Sequence, residues 1–150
     1  MRKNGGNGLP ASVDGHPVFV IRRAHQTASA VFTRFLSEHD LTSSQYCVLT
    51  VLNHHGPTGQ NELGRMAHLD RCTTSVVIRN LKARKLVSAG RDPHDSRKRL
   101  LSLTSSARQL LPRAARLSTR AHQAVTSVLT AAETRQLMAT LRKLVQAHQA

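Results

Sequence analysis

Apolar residues recur at alternating spacings of three and four over residues 17–37, which predicts an amphipathic first helix. The stripe consists of Val18, Ile21, His25, Ala28, Phe32 and Phe35. Pro17 suits its first turn, where the missing amide hydrogen costs nothing. An imidazole on this otherwise apolar stripe requires a partner or a ligand, and a histidine paired within the protein is the more ordinary interpretation.

The next part of the chain has the pattern of three helices separated by short breaks. Thr42 and Gln45 have the spacing of a capping box, and the helix that they open is predicted to end at Gly56. A short helix is expected over about residues 60–67, and Asp70 is the expected N-cap of the following one. Only His68 and Leu69 separate these two helices. So short a turn predicts a helix-turn-helix whose second helix is the recognition helix.

This second helix has an apolar side and a polar side. The residues predicted to face the core are Val76, Val77, Ile78 and Leu81. The residues predicted to face outward, where they could contact a nucleic acid, are Arg71, Thr73, Thr74, Ser75, Arg79 and Lys82.

Two short strands are predicted after the recognition helix, over about residues 86–89 and 100–103. The segment between them, GRDPHDSRKR, places Pro93 and two aspartates at turn positions, as the tip of a hairpin requires. The predicted fold is therefore mainly α-helical, a winged helix-turn-helix with a small β-hairpin wing.

The remainder of the chain is predicted to form two helices, opened by Thr104 and by a capping box at Thr130 and Glu133, with Pro112 inside the first. The first helix and these last two carry more apolar surface than the winged helix can cover. They are expected to form an intertwined dimerisation region. The expected organisation is a flexible tail at 1–15, a dimerisation helix at 16–40, a DNA-binding domain at 41–104 and C-terminal dimerisation helices at 105–150.

Charge is concentrated in the helix-turn-helix and wing. Residues 65–99 contain ten basic and three acidic side chains, so this window carries half of the net charge of +14. Such a patch favours double-stranded DNA, with affinity that falls steeply as salt rises. A basic face that is merely solvated is the alternative.

Several other classes of protein are disfavoured by composition. The eight acidic residues are scattered apart from the pair in the wing, and no phosphate-cradling or nucleophile motif occurs, so we expect no enzyme. The nine histidines lack metal-ligand spacing, so neither a metal site nor a cofactor is expected. No apolar run approaches the roughly 20 residues of a membrane span, and the N-terminus lacks the apolar core of a signal peptide. The expected location is the cytoplasm.

The segment LTSSQYCVLTVLNHHGPTGQNELGRMAHLDRCTTSVVIRNLKARKLVSAGRDPHDSRKRLLSLT resembles the DNA-binding region of the MarR (multiple antibiotic resistance regulator) family. The order and spacing of several short motifs carry the resemblance, among them Leu69-Asp70-Arg71, Asp92-Pro93 and Leu103-Thr104. It implies a homodimeric repressor that binds a pseudo-palindromic operator. A small aromatic or phenolic acid would release the repressor by binding between the dimerisation and DNA-binding regions.

The resemblance also implies roles for individual side chains. Thr73, Thr74 and Ser75 would contact bases or phosphates. Arg97 at the tip of the wing would enter the minor groove, with Asp95 orienting it. Lys98 and Arg99 would hold phosphate, and such contacts set register rather than sequence preference.

Three positions depart from the common pattern of the family. Val76 stands where many relatives have an arginine, Arg79 where many have an acidic residue, and Lys85 where a glycine often ends the recognition helix. Arg79 could compensate for the missing arginine or could be a solvated charge. Lys85 would be mildly strained in a left-handed cap.

The segment HPVFVIRRAHQTASAVF is similar to the start of regulators of aromatic-acid catabolism, including repressors of nicotinate degradation. The candidate ligand-binding residues are Arg22, which could pair with a carboxylate, His25, and Tyr46, which could donate its hydroxyl.

Two alternatives remain open. A redox switch could use Cys47 or Cys72, because Arg71 beside Cys72 could lower the pKa of its thiol. An architectural protein could use the same charge to coat DNA without sequence preference.

Overall fold

The computed structural model describes residues 15–95 and 97–148. The helices are α1 (Pro17–Phe35), a 3-10 turn (Ser37–His39), α2 (Ser43–His55), α3 (Gln60–Met66), α4 (Arg71–Ala83), α5 (Ser105–Thr126) and α6 (Ala131–Ala147). The strands are β1 (Thr58–Gly59), β2 (Val87–Arg91) and β3 (Arg99–Leu103). The predicted fold, mainly helical with a β wing, is confirmed. The predicted tail lies outside the described residues except for Gly15.

Side-chain caps begin the helices where the sequence predicts them. Thr42, Asp70, Thr104 and Thr130 each accept a hydrogen bond from the backbone amide three residues further along. Both predicted capping boxes are complete. Lys85 follows the recognition helix α4 with a φ of +55°, the left-handed conformation expected of it.

The wing is part of a three-stranded antiparallel sheet with the order β1-β3-β2. Val87 pairs with Leu103 in the predicted hairpin, and Thr58 pairs with Leu101 on the other edge of β3. The sequence does not predict β1, because two residues are too few to show the alternation of a strand.

The apolar core lies where α2, α3, α4 and the sheet meet. Leu49, Leu63 and Leu81 are completely buried there. On α4 the inward face consists of Thr74, Val77, Ile78 and Leu81, whereas Val76 is 44% exposed. The prediction that Val76 faces the core is wrong, because positions 74, 77, 78 and 81 form the stripe of a 3.6-residue period and position 76 lies outside it.

The helices that flank the winged helix are packed unevenly. In α1, Phe32 is buried against the core while Val18 and Ile21 are 71% and 40% exposed. In α5, which continues through Pro112 without a break, one face is buried. In α6 none of the described residues is buried.

Candidate nucleic-acid interface and ligand pocket

The outer face of α4 carries most of the side chains predicted to contact DNA. Arg71, Ser75, Arg79 and Lys82 are all exposed. Thr73 is half-buried, and its hydroxyl donates to the carboxylate of the N-cap Asp70. The hydroxyl of Thr73 therefore has only its lone pairs to offer to another group.

Thr74 differs from its expected role. Its side chain is only 3% exposed, and its hydroxyl donates to the backbone carbonyl oxygen of Asp70 at 2.7 Å. It packs against Gly64 of α3, where an added Cβ would lie 2.7 Å from Thr74 Oγ1. In this conformation Thr74 supports the packing of α3 on α4 and does not present its hydroxyl to DNA.

The cap of the recognition helix is ionised more readily than an ordinary aspartate. Hydrogen bonds from the Thr73 hydroxyl and backbone amide stabilise the carboxylate and lower the pKa of Asp70. A negative charge at this end also interacts favourably with the dipole of α4.

The tip of the wing presents three basic side chains. Arg97, Lys98 and Arg99 are all exposed. Asp95 accepts a hydrogen bond from the backbone amide of Arg97 at 3.0 Å, and its other carboxylate oxygen lies 3.8 Å from Lys98 Nζ. Asp95 thus holds the backbone at Arg97, which is a different contact from the one with the guanidinium that the family resemblance implies.

A cavity of about 430 Å³ lies between α1, α2 and α5. This volume suits a single small ring with its substituents. The lining consists of His25, Ala28, Ser29, Phe32, Ser43, Tyr46, Cys47, Thr50, Val51, His122 and Val125.

The cavity combines aromatic walls with hydroxyl groups. The ring of Phe32 lies 5.6 Å from that of Tyr46 and 5.3 Å from that of His122, measured between centroids. Ser29 of α1 and Ser43 of α2 share a hydrogen bond of 2.7 Å between their hydroxyls. Such a cavity can receive a flat ring and hydrogen-bond its polar substituents.

Two of the three predicted ligand-binding residues line the cavity, and the third does not. His25 and Tyr46 line the cavity, whereas Arg22 is exposed on α1 outside its lining. His122 lines the cavity from α5 and was missed by the sequence analysis. The available signal was its spacing of three from Val125, which places the two residues on the same face of a helix.

The two cysteines lie in different surroundings. Cys47 lines the cavity, its Sγ is 3.9 Å from the carbonyl oxygen of Ala67, and burial raises the pKa of its thiol. Burial therefore disfavours the thiolate of Cys47, which is the form that reacts in a redox switch. Cys72 is exposed in the first turn of α4.

The described residues contain neither a candidate membrane span nor a group of metal ligands. None of the helices there is long and apolar enough to cross a bilayer. Within the same residues no three histidine, cysteine or carboxylate side chains are grouped so that they could hold a metal ion.

Comparison with known proteins relates the chain to one group of regulators. The profile described as MarR family matches residues 39–98. The HTH-type transcriptional repressor NicR of Pseudomonas putida is 38% identical over 92 residues, which is 61% of this chain. The chain spans 58% of the length of NicR.

Two solved structures extend the similarity to nearly the whole chain. One is BpsR of Bordetella bronchiseptica, from work on the mechanism for regulation of its DNA binding by 6-hydroxynicotinic acid. It is 30% identical to this chain, with a TM-score of 0.82, and the match covers 91% of this chain and 98% of BpsR. The other is the PcaV transcriptional regulator of Streptomyces coelicolor in complex with its natural ligand. It is 29% identical, with a TM-score of 0.81, and the match covers 93% of this chain and 99% of PcaV. NicR and PcaV are named as transcriptional regulators, which supports the predicted class, a regulator rather than an enzyme.

Proposed function

Because the chain belongs to the MarR family, in the subgroup of regulators that respond to aromatic acids, we propose that it is a transcriptional repressor controlled by such a ligand. It binds a pseudo-palindromic operator as a homodimer. The observation that carries the proposal is the recognition helix α4, which packs its apolar face into the core while Arg71, Ser75, Arg79 and Lys82 stay exposed.

The homodimer is supported by apolar side chains that a single chain leaves exposed. On α6, Leu137, Leu141 and Leu144 are 42%, 36% and 44% exposed, and Val18 and Ile21 of α1 add to this surface. Apolar surface of this extent is typical of an interface. A second copy with two-fold symmetry would cover it and would place two recognition helices about one helical turn of DNA apart, near 10 base pairs.

The aromatic acid is supported by the chemistry of the cavity. Phe32, Tyr46 and His122 offer ring faces and edges, and the hydroxyls of Ser29 and Ser43 offer hydrogen bonds to a carboxylate or phenol. His25 lines the same cavity, and its imidazole offers a further hydrogen bond. The solved relative BpsR is regulated by 6-hydroxynicotinic acid, a ligand of this class.

Sequence-specific binding is tested by competition. We expect a palindromic duplex from the promoter of the regulator's own gene to bind at least about a thousandfold tighter than random duplex at physiological salt. Equal affinity for the two duplexes would instead support the architectural protein that coats DNA.

Ligand control is tested by thermal shift and by release of operator DNA, with benzoate, 4-hydroxybenzoate, nicotinate and 6-hydroxynicotinate as probes. At least one acid should raise Tm and release DNA from the wild type. The variant His25→Ala should weaken both responses and keep operator affinity. The matched control, His55→Ala, changes an exposed histidine outside the cavity and should respond as the wild type does. Loss of the response in the control alone would contradict the assignment of the cavity.

A further inference from the structure

A hydrogen bond joins the two helices of the helix-turn-helix on their exposed side. Gln60, the first residue of α3, donates from Nε2 to Ser75 Oγ of α4 at 3.0 Å. The hydroxyl of Ser75 in turn donates to the backbone carbonyl oxygen of Arg71 at 2.9 Å. Both side chains are exposed, so this pair lies on the surface that carries the other candidate DNA contacts.

The direction of each hydrogen bond follows from the groups present. A serine hydroxyl has one hydrogen and two lone pairs, and a backbone carbonyl can only accept. The single hydrogen of Ser75 therefore goes to Arg71, and Gln60 must be the donor in the second bond. One lone pair of Ser75 Oγ is left, so the hydroxyl meets a further partner as an acceptor.

An acceptor at this position distinguishes bases in the major groove. Adenine N6 and cytosine N4 carry amino hydrogens there, whereas guanine and thymine present acceptor atoms. A serine that is free to rotate can donate or accept and reads either kind of edge. Ser75 is held in one rotamer by Gln60 from one side and Arg71 from the other, so it favours an amino group.

The neighbouring hydroxyls are committed differently. Thr73 donates to the carboxylate of Asp70, and Thr74 is buried. Ser75 is the one of these three that is both exposed and held from a second helix.

We propose that Gln60, which lies outside the recognition helix, is a positioning residue that keeps Ser75 as an acceptor for the amino group of adenine or cytosine in the operator. This inference rests on the proposed function, since it requires sequence-specific binding of DNA. Gln60 acts through Ser75, and its removal relaxes the choice of base at one position of each half-site.

The test is selection of binding sites from random duplexes, followed by affinity measurements on every base substitution in the selected site. The variants are Gln60→Ala, Ser75→Ala and the double variant, and the matched control is Asn61→Ala, which truncates the next exposed amide of α3. In the wild type, one position should prefer adenine or cytosine by about tenfold. Both single variants should reduce this preference to below about threefold. The double variant should reduce it no further, because the two residues act as one unit.

Three results would overturn the inference while leaving the regulator intact. In the first, Ser75→Ala alters the preference and Gln60→Ala does not. In the second, the affected position prefers guanine or thymine. In the third, Gln60→Ala weakens all duplexes equally and leaves the salt dependence unchanged, as the loss of a hydrogen bond from an uncharged amide to a phosphate would. If the wild type selects no site at all, the proposed function itself fails, which is a distinct outcome.

Discussion

The winged helix and the helices that flank it use their apolar residues in opposite ways. In the winged helix Leu49, Leu63 and Leu81 are completely buried. In α6 the corresponding apolar stripe, which includes Leu137, Leu141 and Leu144, stays at least 36% exposed. In both regions a side chain caps the start of the helix, so the difference lies in packing and not in local structure.

This contrast shows which part of the molecule is complete as one chain. The winged helix buries its apolar face against its own neighbours, and it therefore presents its polar face in a fixed arrangement. The flanking helices leave theirs exposed, and the second copy of the proposed homodimer would cover it. In the proposed regulator, a ligand bound in the cavity at the border of the two regions would change the spacing of the recognition helices without repacking the helix-turn-helix.

The largest expected effect comes from placing a charge on the unpaired apolar face. Leu141→Asp should convert the proposed dimer into a monomer and lower operator affinity by more than about a hundredfold, since half of the contacts are lost. Sedimentation would measure the mass of the protein in solution, and fluorescence anisotropy would measure its affinity for the operator. Gln136→Asp introduces the same residue on the opposite face of α6 and should remain a dimer. A dimer with Leu141→Asp would show that this face is not the interface.

The next effect concerns the contact that ties the two regions together. Arg84, directly after α4, donates to the carbonyl oxygens of Asp40 at 2.5 Å and His39 at 2.7 Å, at the end of the 3-10 turn that follows α1. Arg84→Met should lower the free energy of unfolding by about 1–3 kcal/mol, because two charge-assisted hydrogen bonds are lost from a partly exposed site.

Urea denaturation would measure this loss, with Lys82→Met as the matched control for removal of an exposed charge from α4. The Arg84 variant should also bind operators with altered half-site spacing better, relative to the native operator, than the wild type does. If its stability and spacing preference both match those of the control, the contact does not fix α4 relative to α1.

A smaller effect is expected within the winged helix, where packing is closest. An alanine at Gly64 would place its Cβ 2.7 Å from Thr74 Oγ1 and 3.2 Å from Thr74 Cγ2. Because a threonine side chain is stiff at χ1, Gly64→Ala should destabilise the protein by about 1–2 kcal/mol despite the better helix propensity of alanine. Adding Thr74→Ala removes both clashing atoms and should recover part of the loss in thermal denaturation. A double variant less stable than the sum of the single effects would contradict this packing.

The smallest effect is on the acid sensitivity of the two helix caps. Hydrogen bonds lower the pKa of Asp70 in the winged helix and of Glu133 in α6. A carboxylate with a lowered pKa contributes stability above its ordinary pKa of about 4, and this contribution is lost as pH falls through the folded-state value.

The free energy of unfolding of the wild type should therefore decrease as pH falls below about 4. Asp70→Asn or Glu133→Gln should each remove part of that decrease. Circular dichroism across a pH series would follow it. An identical decline in wild type and both variants would show that these caps do not carry the linkage.

Helix boundaries and the helix-turn-helix were predictable because their causes are local. Thr42 and Asp70 bond to amides three residues away, and this spacing is visible in the sequence. Thr74 was placed on the wrong face because a threonine between polar neighbours is expected to be exposed. Its burial depends on the room left by Gly64, a residue of another helix.

The candidate site was predictable only in part for the same reason. His25 and Tyr46 lie on a stripe and a helix that the sequence marks, and both line the cavity. His122 and Gln60 carry no such mark, because each becomes a candidate only through contact with a residue distant in the chain, Phe32 and Ser75 respectively.

The sequence by itself determined where the helices begin, where the wing turns and where the positive charge is concentrated, since each depends on residues within a few positions of one another. The tertiary structure alone decided that Ser75 is held by Gln60, that Thr74 is buried, and that α1, α2 and α5 together line an open cavity. These features require distant segments to come into contact. Such contacts are set by the packing of whole faces, which no short stretch of sequence contains.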